Sequence, residues 1–592
     1  MKLHTIPTLL LVLSFFCNNS YAQTIPASRL ADWSKAGYGD TLPVYSTQVN
    51  IMNHGGVADG VTPNDNAFAT AVAALNNAPG TIFFPAGNYL FNQTMLITRD
   101  SIIIKGEGNS TRLLFDLGNT NAETIHFSGS VVIPAASVKS TLNKNDTSLV
   151  IHNGSNYKPG NFIQLWGNDS NVIFSSWALK SASQILQIKS VTVDTIVFDN
   201  ALRRTYPPTY DPFIRVFNEV KGAGIECLYI ERKDSTAQQT NNIAFERSAY
   251  CWVTGVESNK ANFAHVAISN STHILVRGNY FHHAHKYGEG GQGYGALIQY
   301  TSGDCLVENN IFEHLRHSML VQAGANGNVF AYNYSTDPYW TQPPFPTNSA
   351  GDIVCHGNYP YLNLFEGNIV QNIVVDDSHG INGPYNTFFR NRAETYGIFT
   401  VANVSDSMNY AGNEITNTLG YYQLTGVGNF ASGNNVKGVI NPAGTANLPE
   451  SSLYLKSPPG YWQGNNPYPN IGTPYAYNQG INAAKQRYSS QKTDCVRNPK
   501  YTGIHSLQNK KLDVAVSPNP FNNRLQILLN EKAEGTEYKL YNVSGHTILT
   551  GQTTEIITSI DATNIPVGVY ILEVKNKDGV STREKLVKID SF

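Results

Sequence analysis

A short pattern that recurs through the middle of the chain restricts the fold more than any other feature does. An apolar residue, an asparagine and often an aromatic or branched residue recur in this order at seven successive places: Asn279, Asn310, Asn333, Asn368, Asn391, Asn413 and Asn434. These markers lie 31, 23, 35, 23, 22 and 21 residues apart. A unit of about 22 residues with short strands is typical of one coil of a parallel β-helix, whose edges stay unpaired until the next coil stacks on it. Asparagine suits the turns of such coils, because it tolerates the left-handed backbone region and stacked amides can hydrogen-bond along the axis.

Two of these spacings exceed one coil, and the excess falls in two loops. Residues 286–295 are rich in glycine, and residues 338–346 are rich in proline and aromatic side chains. A leucine-rich repeat has a similar period, but the sequence lacks the leucine ladder and helical segments that it requires. Because long loops on a regular scaffold usually carry binding residues, we expect a site on the coils between residues 279 and 391.

The composition agrees with an all-β protein that leaves the cell. The 592 residues include 49 glycines, 33 tyrosines and 26 phenylalanines, which suits many strands and turns. Charged residues make up 14% of the chain and the formal net charge is −2, so no basic field indicates nucleic acid as a partner. Lys2, the apolar run 8–16 and the small residues Ser20 and Ala22 predict a signal peptide over residues 1–22. No later stretch approaches the length of a transmembrane segment.

Five cysteines follow the predicted signal peptide: Cys227, Cys251, Cys305, Cys355 and Cys495. An odd number at wide spacing is neither a disulfide framework nor a CxxC metal site. Cys227 and Cys251 lie 24 residues apart, so they stack on adjacent coils either as a bridge or as small buried side chains. Of these two arrangements we favour the buried side chains.

Three segments near the N-terminus resemble the start of the pectate-lyase-like superfamily, which includes rhamnogalacturonase and epimerase-type β-helices: residues 56–68, 80–90 and 103–108. The resemblance implies a right-handed parallel β-helix that acts on extracellular polysaccharides, as a lyase or as a glycoside hydrolase. Asn64 is placed to cap a short helix that would plug the open end of the coils. The apolar face of that helix is Ala67, Ala71 and Leu75.

The domain boundaries follow from where the repeat is clear and where it fails. We expect an N-terminal cap and the first coils over residues 23–120, and the main coils over residues 226–445. Residues 121–225 fit the repeat poorly and predict an inserted β-rich segment, and residues 446–511 predict a C-terminal cap and linker. The fold class is therefore all-β, a parallel β-helix with an N-terminal capping helix and a small C-terminal β-sandwich.

The β-sandwich is predicted from residue 512 onward, where short alternating strands and regular turns begin. Four segments closely resemble the C-terminal sorting domain of the type IX secretion system of Bacteroidetes: residues 514–521, 538–545, 565–574 and 584–588. The resemblance implies that residues 512–592 engage the type IX secretion machinery. The protein would then be secreted or attached to the cell surface.

The register of the asparagines also predicts which chemically active side chains stack. Six residues after a marker lie His285, Arg316 and Tyr339, and seven residues after it lie Lys286, His317 and Trp340. We expect these residues to form two short columns on one face, next to the long loops. Cationic and aromatic side chains on three successive coils are hard to explain by packing alone, although a solvated edge is the alternative.

A second group precedes the markers. His356 and His379 each precede an asparagine by twelve residues, and Gln299 and Gln322 precede theirs by eleven. A one-residue bulge would bring these four side chains together. Three carboxylates lie near them in the sequence: Asp352, Asp376 and Asp377.

β-Elimination from a uronic-acid polymer suits the first group. It needs a cation that neutralises the sugar carboxylate, a base for the C5 proton and an acid for the leaving oxygen. Arg316 suits the first role, the candidate bases are His285, Lys286 and His317, and the candidate acids are Tyr287 and Tyr294. The remaining candidates are predicted to bind the substrate: Gln299, Gln322, Tyr339, Trp340, His356 and His379.

Hydrolysis is the alternative reaction, and its two carboxylates would come from Asp352, Asp376 and Asp377. The hydrolase branch of the superfamily carries several short motifs. Only residues 375–380 are similar to any of them, and this segment merges two of the motifs into one. The same three carboxylates could bind Ca²⁺, as the pectate-lyase branch often does. We therefore favour a secreted lyase over a glycoside hydrolase. A non-catalytic glycan-binding protein or adhesin is the third hypothesis, and it predicts uniform coils without clustered histidines.

Overall fold

The computed structural model describes residues 24–39, 41–131, 135–152, 154–288, 291–341, 351–401, 405–464, 466–496, 514–529, 536–553, 555–576 and 581–590. The predicted signal peptide lies outside these residues. The chain divides into two compact units, Met1–Tyr501 and Thr502–Phe592, and each is described by itself. No helix in the described part of the chain is long and apolar enough to cross a membrane.

The first unit is a parallel β-helix whose coils pass in turn through three stacks of strands, here called sheets 1, 2 and 3. Sheet 1 contains Thr47–Asn50, Gly80–Phe83, Trp252–Thr254, Leu275–Arg277, Leu306–Glu308, Val329–Ala331, Leu364–Glu366, Thr387–Phe389, Asn409–Ala411 and Phe430–Ser432. Sheet 2 contains Asp59–Pro63, Gly87–Phe91, Glu257–Ala261, Tyr280–Ala284, Ile311–Glu313, Tyr334–Thr336, Glu414–Ile415, Asn434–Val436 and Val439–Asn441. Sheet 3 contains Met95–Ile97, Ile125–Ser128, Ile243–Glu246, Ala264–Ser269, Tyr294–Gln299, His317–Val321, Ile353–Cys355 and Tyr421–Gln423.

Four longer strands bend at a corner and belong to two sheets. Ile102–Phe115 and Gly224–Arg232 continue from sheet 1 into sheet 2, and Ile369–Val375 and Arg392–Thr400 continue from sheet 2 into sheet 3. Val220–Lys221 and Ser248–Ala249 form a separate two-stranded pair. The predicted parallel β-helix is therefore confirmed.

The predicted register is confirmed by a ladder of buried asparagines along one corner of the helix. The seven markers are fully buried, and the Nδ2 of each of the first six donates to the Oδ1 of the marker on the next coil, at 2.9–3.1 Å. Each accepting Oδ1 also receives the backbone N–H of the preceding marker. Since buried polar groups must find partners, the coils from Asn279 to Asn434 repeat the same side chain at this position, which is why the pattern is visible in the sequence. Asn328, Asn363 and Asn386 form a second, shorter ladder.

The interior of the helix is filled by apolar side chains that stack from coil to coil. Phe330, Phe365, Phe388 and Tyr410 form one such column, with ring centroids 5.1, 5.2 and 5.1 Å apart. All four are fully buried, so each contributes both apolar area and ring stacking to the core.

The predicted capping helix is present over Asp65–Ala74 and buries Ala67, Phe68 and Ala71. Asn64 occupies the position before the helix but does not cap it. Its side chain instead accepts from the Val57 backbone N–H and donates to the Val57 and Thr62 carbonyls, so it holds the preceding loop.

The inserted segment forms its own antiparallel sheet between two coils. Its strands are Ser130–Val131, Ala136–Ser137, Ser148–Val150, Phe162–Trp166, Gln184–Thr192, Thr195–Phe198 and Phe213–Asn218. A separate core, which includes Ile163, Leu186 and Ile214, holds this sheet together. Short 3-10 turns elsewhere in the unit span Ala27–Arg29, Ile51–His54, Gly154–Asn156, Ser176–Ala178 and Pro208–Tyr210.

Two segments outside the coils run along the sides of the helix, where the sequence predicted a cap at each end. Residues 24–45 cover sheet 1, and the Trp33 indole donates to the Leu362 carbonyl at 2.8 Å. Residues 446–496 run back over earlier coils: Tyr454 bonds Glu308, the helix Ala483–Tyr488 packs on sheet 2, and Asp494 N–H donates to Gly278. These contacts cover apolar outer faces that short strands alone would leave exposed.

The cysteine prediction is corrected by this returning segment. Cys227 forms a disulfide with Cys495, 268 residues away, and the Cα atoms are 5.4 Å apart. Cys251, Cys305 and Cys355 are free and buried, so the favoured arrangement holds for Cys251 but not for Cys227. The spacing of Cys227 and Cys251 hid this pairing, because only the path of residues 446–496 brings Cys495 to the coil of Cys227.

The second unit is a β-sandwich, as predicted. One antiparallel sheet contains Val514–Ser517, Arg524–Leu529 and Ile557–Asp561, and the other contains Thr536–Asn542, Thr547–Thr553, Gly568–Lys575 and Ser581–Lys588. Leu525 and Ile527 of the first sheet share one core with Leu540 and Leu572 of the second.

Candidate active site

A cavity of about 630 Å³ opens on sheet 3 beside the inserted segment. The side chains that line it are mostly polar or aromatic: Trp177, Gln239, Phe263, Gly291, Tyr294, Gln299, Tyr300, Arg316, Gln322, His356, Ser378 and His379. Six of these were candidates from the sequence: Tyr294, Gln299, Arg316, Gln322, His356 and His379.

A row of polar side chains, of which Gln299, Gln322 and His356 line this cavity, follows from the strand register. Ile298, Val321, Cys355 and Val375 pair on successive coils of sheet 3. The residue after each of them therefore lies in one row: Gln299, Gln322, His356 and Asp376. The Gln322 amide donates to Gln299 Oε1 at 2.7 Å. His379 joins the group from the turn that follows Asp376, and its ring centroid lies 4.9 Å from that of His356.

His356 and Asp376 form a dyad at the end of this row. His356 Nδ1 and Asp376 Oδ2 are 2.7 Å apart. Burial raises the pKa of Asp376, but the neighbouring His356 outweighs it, so the pKa of this carboxyl lies below its ordinary value. An ionised Asp376 keeps the proton on Nδ1, which leaves the lone pair on His356 Nε2 for proton transfer.

Arg316 supplies the positive charge of the cavity. Its guanidinium lies 4.5 Å from the ring centroid of Trp340 and 5.9 Å from that of Tyr294, and Nη1 donates to the Gly288 carbonyl at 2.5 Å. Its buried Nε has no hydrogen-bond partner among the described residues. A guanidinium held by aromatic rings and left with unused donors is suited to bind a carboxylate.

Tyr294 lies against Arg316 at the cavity wall. Its side chain is 3% exposed, and burial raises the pKa of its hydroxyl to about 12, although Arg316 opposes the shift. The hydroxyl therefore keeps its proton at neutral pH and can act only as a donor of that proton.

His317 is buried behind the cavity and does not line it. Its ring lies 4.9 Å from Tyr294 and 5.6 Å from His356, and its Nδ1 lies 3.2 Å from the Gly351 carbonyl. Burial, with Arg316 nearby, lowers the pKa of His317 well below its ordinary value. A neutral histidine enclosed in this way fits a structural role better than the base role that was predicted for it.

The two predicted columns after the markers do not form one site. His285, Lys286, Tyr287 and Tyr339 line a different cavity of about 590 Å³, here called the second cleft, with Gly288, Gln292, His314 and Thr341. The loop after Lys286 displaces the register, because His317 pairs with Tyr294 on the previous coil and not with Lys286. The prediction of His285 or Lys286 as the base beside Arg316 is therefore wrong in its geometry, whereas Trp340 does lie against Arg316.

The three carboxylates that the sequence predicted to lie together are in different environments. Asp352 is enclosed in the coil, where Ser335 Oγ and the backbone N–H of Gln371 donate to it at 2.8 and 2.6 Å. Asp377 is exposed on a turn, and Asp376 is bonded to His356. Among the described residues no three His, Cys, Asp or Glu side chains converge to hold a metal ion. These carboxylates consequently do not fit the predicted Ca²⁺ site.

The sequence did not predict some of the residues that line the cavity on sheet 3. Trp177 reaches the cavity from the inserted segment, is 44% exposed, and lies edge-on to His379 at 5.2 Å and to Tyr300 at 5.8 Å. Nothing in the local sequence relates Trp177 to the coils. Tyr300, in contrast, directly follows Gln299, so the register alone would have placed it.

The comparisons with known proteins agree with this architecture. The family model described as rhamnogalacturonase A/epimerase, pectate lyase-like, matches residues 48–288, and the secretion system C-terminal sorting domain matches residues 515–589. No curated protein has a matching sequence.

Solved structures with a similar chain path include two phage tailspikes and one enzyme. The tailspike gp49 from Pseudomonas phage LKA1 is 15% identical, with 66% of this chain and 78% of that chain covered and a TM-score of 0.43. The tailspike gp61 from Pseudomonas phage phi297 is 10% identical, with 92% and 96% covered and a TM-score of 0.48. An exopolygalacturonase from Thermotoga maritima is 11% identical, with 68% and 89% covered and a TM-score of 0.39.

The two family matches fall on the β-helix and on the C-terminal sandwich, where the sequence motifs predicted them. A sorting domain of this kind indicates secretion. Residues 48–288 of the chain are therefore similar to the rhamnogalacturonase A/epimerase, pectate lyase-like family, and residues 515–589 are similar to the secretion system C-terminal sorting domain.

Proposed function

We propose that the protein is an exported polysaccharide lyase that cleaves a uronic-acid-containing polymer by β-elimination in the cavity on sheet 3. One observation carries this proposal. The cavity combines a cation, Arg316, with a histidine base, His356, and none of its described lining residues is Asp or Glu. Such a wall attracts an anionic sugar and lacks the pair of facing carboxylates that hydrolysis requires.

Arg316 and the glutamine row would hold the acidic sugar. The guanidinium neutralises the sugar carboxylate, which makes the neighbouring C5–H bond more acidic. The amides of Gln299 and Gln322 lie next to His356 in the same row, where they can donate to the negative charge that develops as the proton leaves.

His356 would remove the C5 proton through Nε2. The resulting imidazolium is stabilised by Asp376, 2.7 Å from Nδ1. The electron pair of the C5–H bond forms the C4–C5 double bond, and the C4–O bond breaks. Tyr294 gives its proton to the leaving oxygen, and the proton on His356 later returns the tyrosine to its neutral form through solvent.

Trp177 would support a sugar ring at the rim of the cavity. Its side chain is 44% exposed and stands perpendicular to the His379 ring, and an exposed indole is suited to stack on a sugar. Export by the sorting domain agrees with a substrate that lies outside the cell.

The hydrolase alternative is less well supported by the positions of its carboxylates. Asp352 is fully buried and bonded to Ser335, and Asp376 is engaged by His356. Neither can face a second carboxylate across a sugar in the cavity, which the hydrolytic mechanism demands.

The test is a screen of alginate, pectin and glycosaminoglycans that follows the absorbance of the new double bond, with the wild-type chain, two variants of Arg316 and one control variant. Arg316→Ala should lower kcat/KM by roughly a hundredfold or more, and Arg316→Lys should restore part of it. Arg112→Ala is the matched control, because Arg112 is a half-buried arginine on an earlier coil, and its guanidinium lies 3.8 Å from the Tyr229 ring centroid. Reducing ends without a new double bond would refute the lyase proposal.

A further inference from the structure

The second cleft contains a cation and aromatic rings that the proposed reaction does not use. Lys286 is exposed and has no ion pair among the described residues, and Tyr339 is 41% exposed. The Tyr339 ring stacks on His314 with centroids 4.4 Å apart, and Tyr287 meets it edge-on at 4.9 Å. This packing fixes the orientation of Tyr339, so its outer face is a rigid apolar platform.

The polar groups around this platform are already oriented. His285 Nε2 lies 3.0 Å from the Arg232 carbonyl, and His314 Nδ1 lies 2.7 Å from Asp337. The Tyr287 hydroxyl accepts the backbone N–H of Ala284 at 2.8 Å. Lys286 is thus the charged group of the cleft that stays available to a ligand.

The second cleft and the proposed active site are neighbours on the same coils. Residues 286–288 and 291–292 lie at the boundary between them, since Gly288 and Gln292 line the second cleft and Gly291 lines the first cavity. The backbone of Gly293 lies close to that of Lys286: a Cβ on Gly293 would lie 3.1 Å from the Lys286 carbonyl oxygen. Arg316 of the first cavity donates to the carbonyl of Gly288, which also lines the second cleft with Lys286.

We propose that the second cleft is a subsite for a further acidic unit of the same polysaccharide chain, with Tyr339 stacking on the sugar and Lys286 pairing with its carboxylate. This inference rests on the proposed function for the identity of the chain. A cation beside an exposed aromatic platform matches a sugar that has one apolar face and one carboxylate. Occupation of both cavities requires a substrate longer than the unit that reacts.

Affinity electrophoresis of the full chain tests this subsite without relying on catalysis. Gels contain polygalacturonate or alginate, and the variants are Lys286→Ala and Tyr339→Ala. We expect each variant to weaken retardation by roughly tenfold, while Lys189→Ala, an exposed lysine on the inserted segment, serves as the control. In gels with methyl-esterified pectin, whose esters carry no charge, Lys286→Ala should no longer weaken retardation. Tyr339→Ala should still weaken it.

Kinetics on oligosaccharides of increasing length separate this inference from the proposed reaction. The effect of Lys286→Ala on KM should appear only above a threshold chain length. Variants that are retarded as strongly as the wild type would overturn the subsite, even if the wild type forms unsaturated products. Lys286-dependent retardation without unsaturated products would retain the subsite and overturn the lyase proposal, and a wild-type chain that no acidic polymer retards would overturn the subsite.

Discussion

Replacing Asn333 by alanine should destabilise the β-helix by breaking the asparagine ladder at its centre. Four hydrogen bonds depend on this side chain. Oδ1 accepts from the backbone N–H and from Nδ2 of Asn310, and Nδ2 donates to the Val307 carbonyl and to Asn368 Oδ1, all at 2.9–3.0 Å. A net value of about 1 kcal/mol for each bond gives a loss of about 4 kcal/mol in the free energy of unfolding.

The loss in the free energy of unfolding should reach this full value, because the site is buried away from water. Asn333 is fully buried, so the abandoned donors of Asn310 gain no water in exchange. Urea unfolding of the full chain, followed by tryptophan fluorescence, measures the change. Asn92→Ala is the control, since Asn92 is exposed on an early coil and should change the free energy by less than about 0.5 kcal/mol. A loss below about 1 kcal/mol for Asn333→Ala would refute the claim that the ladder holds the register.

Two further predictions concern ionisable groups. Asp376→Asn should lower kcat by roughly a hundredfold with little change in KM, because the amide no longer favours the Nδ1 proton of His356; an unchanged pH–rate profile would contradict this role. Burial raises the pKa of Asp352 to about 6 from 3.8, so the folded state binds this proton more tightly than the unfolded chain does. The free energy of unfolding should therefore fall as the pH rises between those values and then level off, and Asp352→Asn should remove this part of the slope in urea titrations at several pH values.

The coils and the polar row were predictable because they depend on a repeated local requirement. Each buried asparagine side chain bonds an asparagine on the next coil, so asparagines recur in the sequence about one coil apart. The same register brings Gln299, Gln322 and His356 to one wall, because strands of a parallel stack carry equivalent residues at equal phase.

The other features of the site, and the disulfide, could not be predicted because they depend on segments outside the repeat. The loop after Lys286 moves His285 and Lys286 to the second cleft, and a count of residues from the marker cannot show that displacement. Trp177 enters the cavity from the inserted segment, whose packing on the coils follows no local pattern. Cys495 meets Cys227 only because residues 446–496 return along the helix, a path set by contacts with distant coils.

The most direct test of the proposed reaction is the mass of the new chain ends formed from a uronic-acid polymer in heavy-oxygen water. Elimination breaks the chain without adding water, so one new end should be an unsaturated sugar. Neither end should carry the heavy oxygen when the products are analysed before the new reducing end exchanges its anomeric oxygen with the solvent. The arrangement of Arg316 and His356 predicts this product for the wild-type chain, and a much smaller amount for His356→Ala. New ends that carry the heavy oxygen and are one water molecule heavier would show hydrolysis and contradict the proposed mechanism.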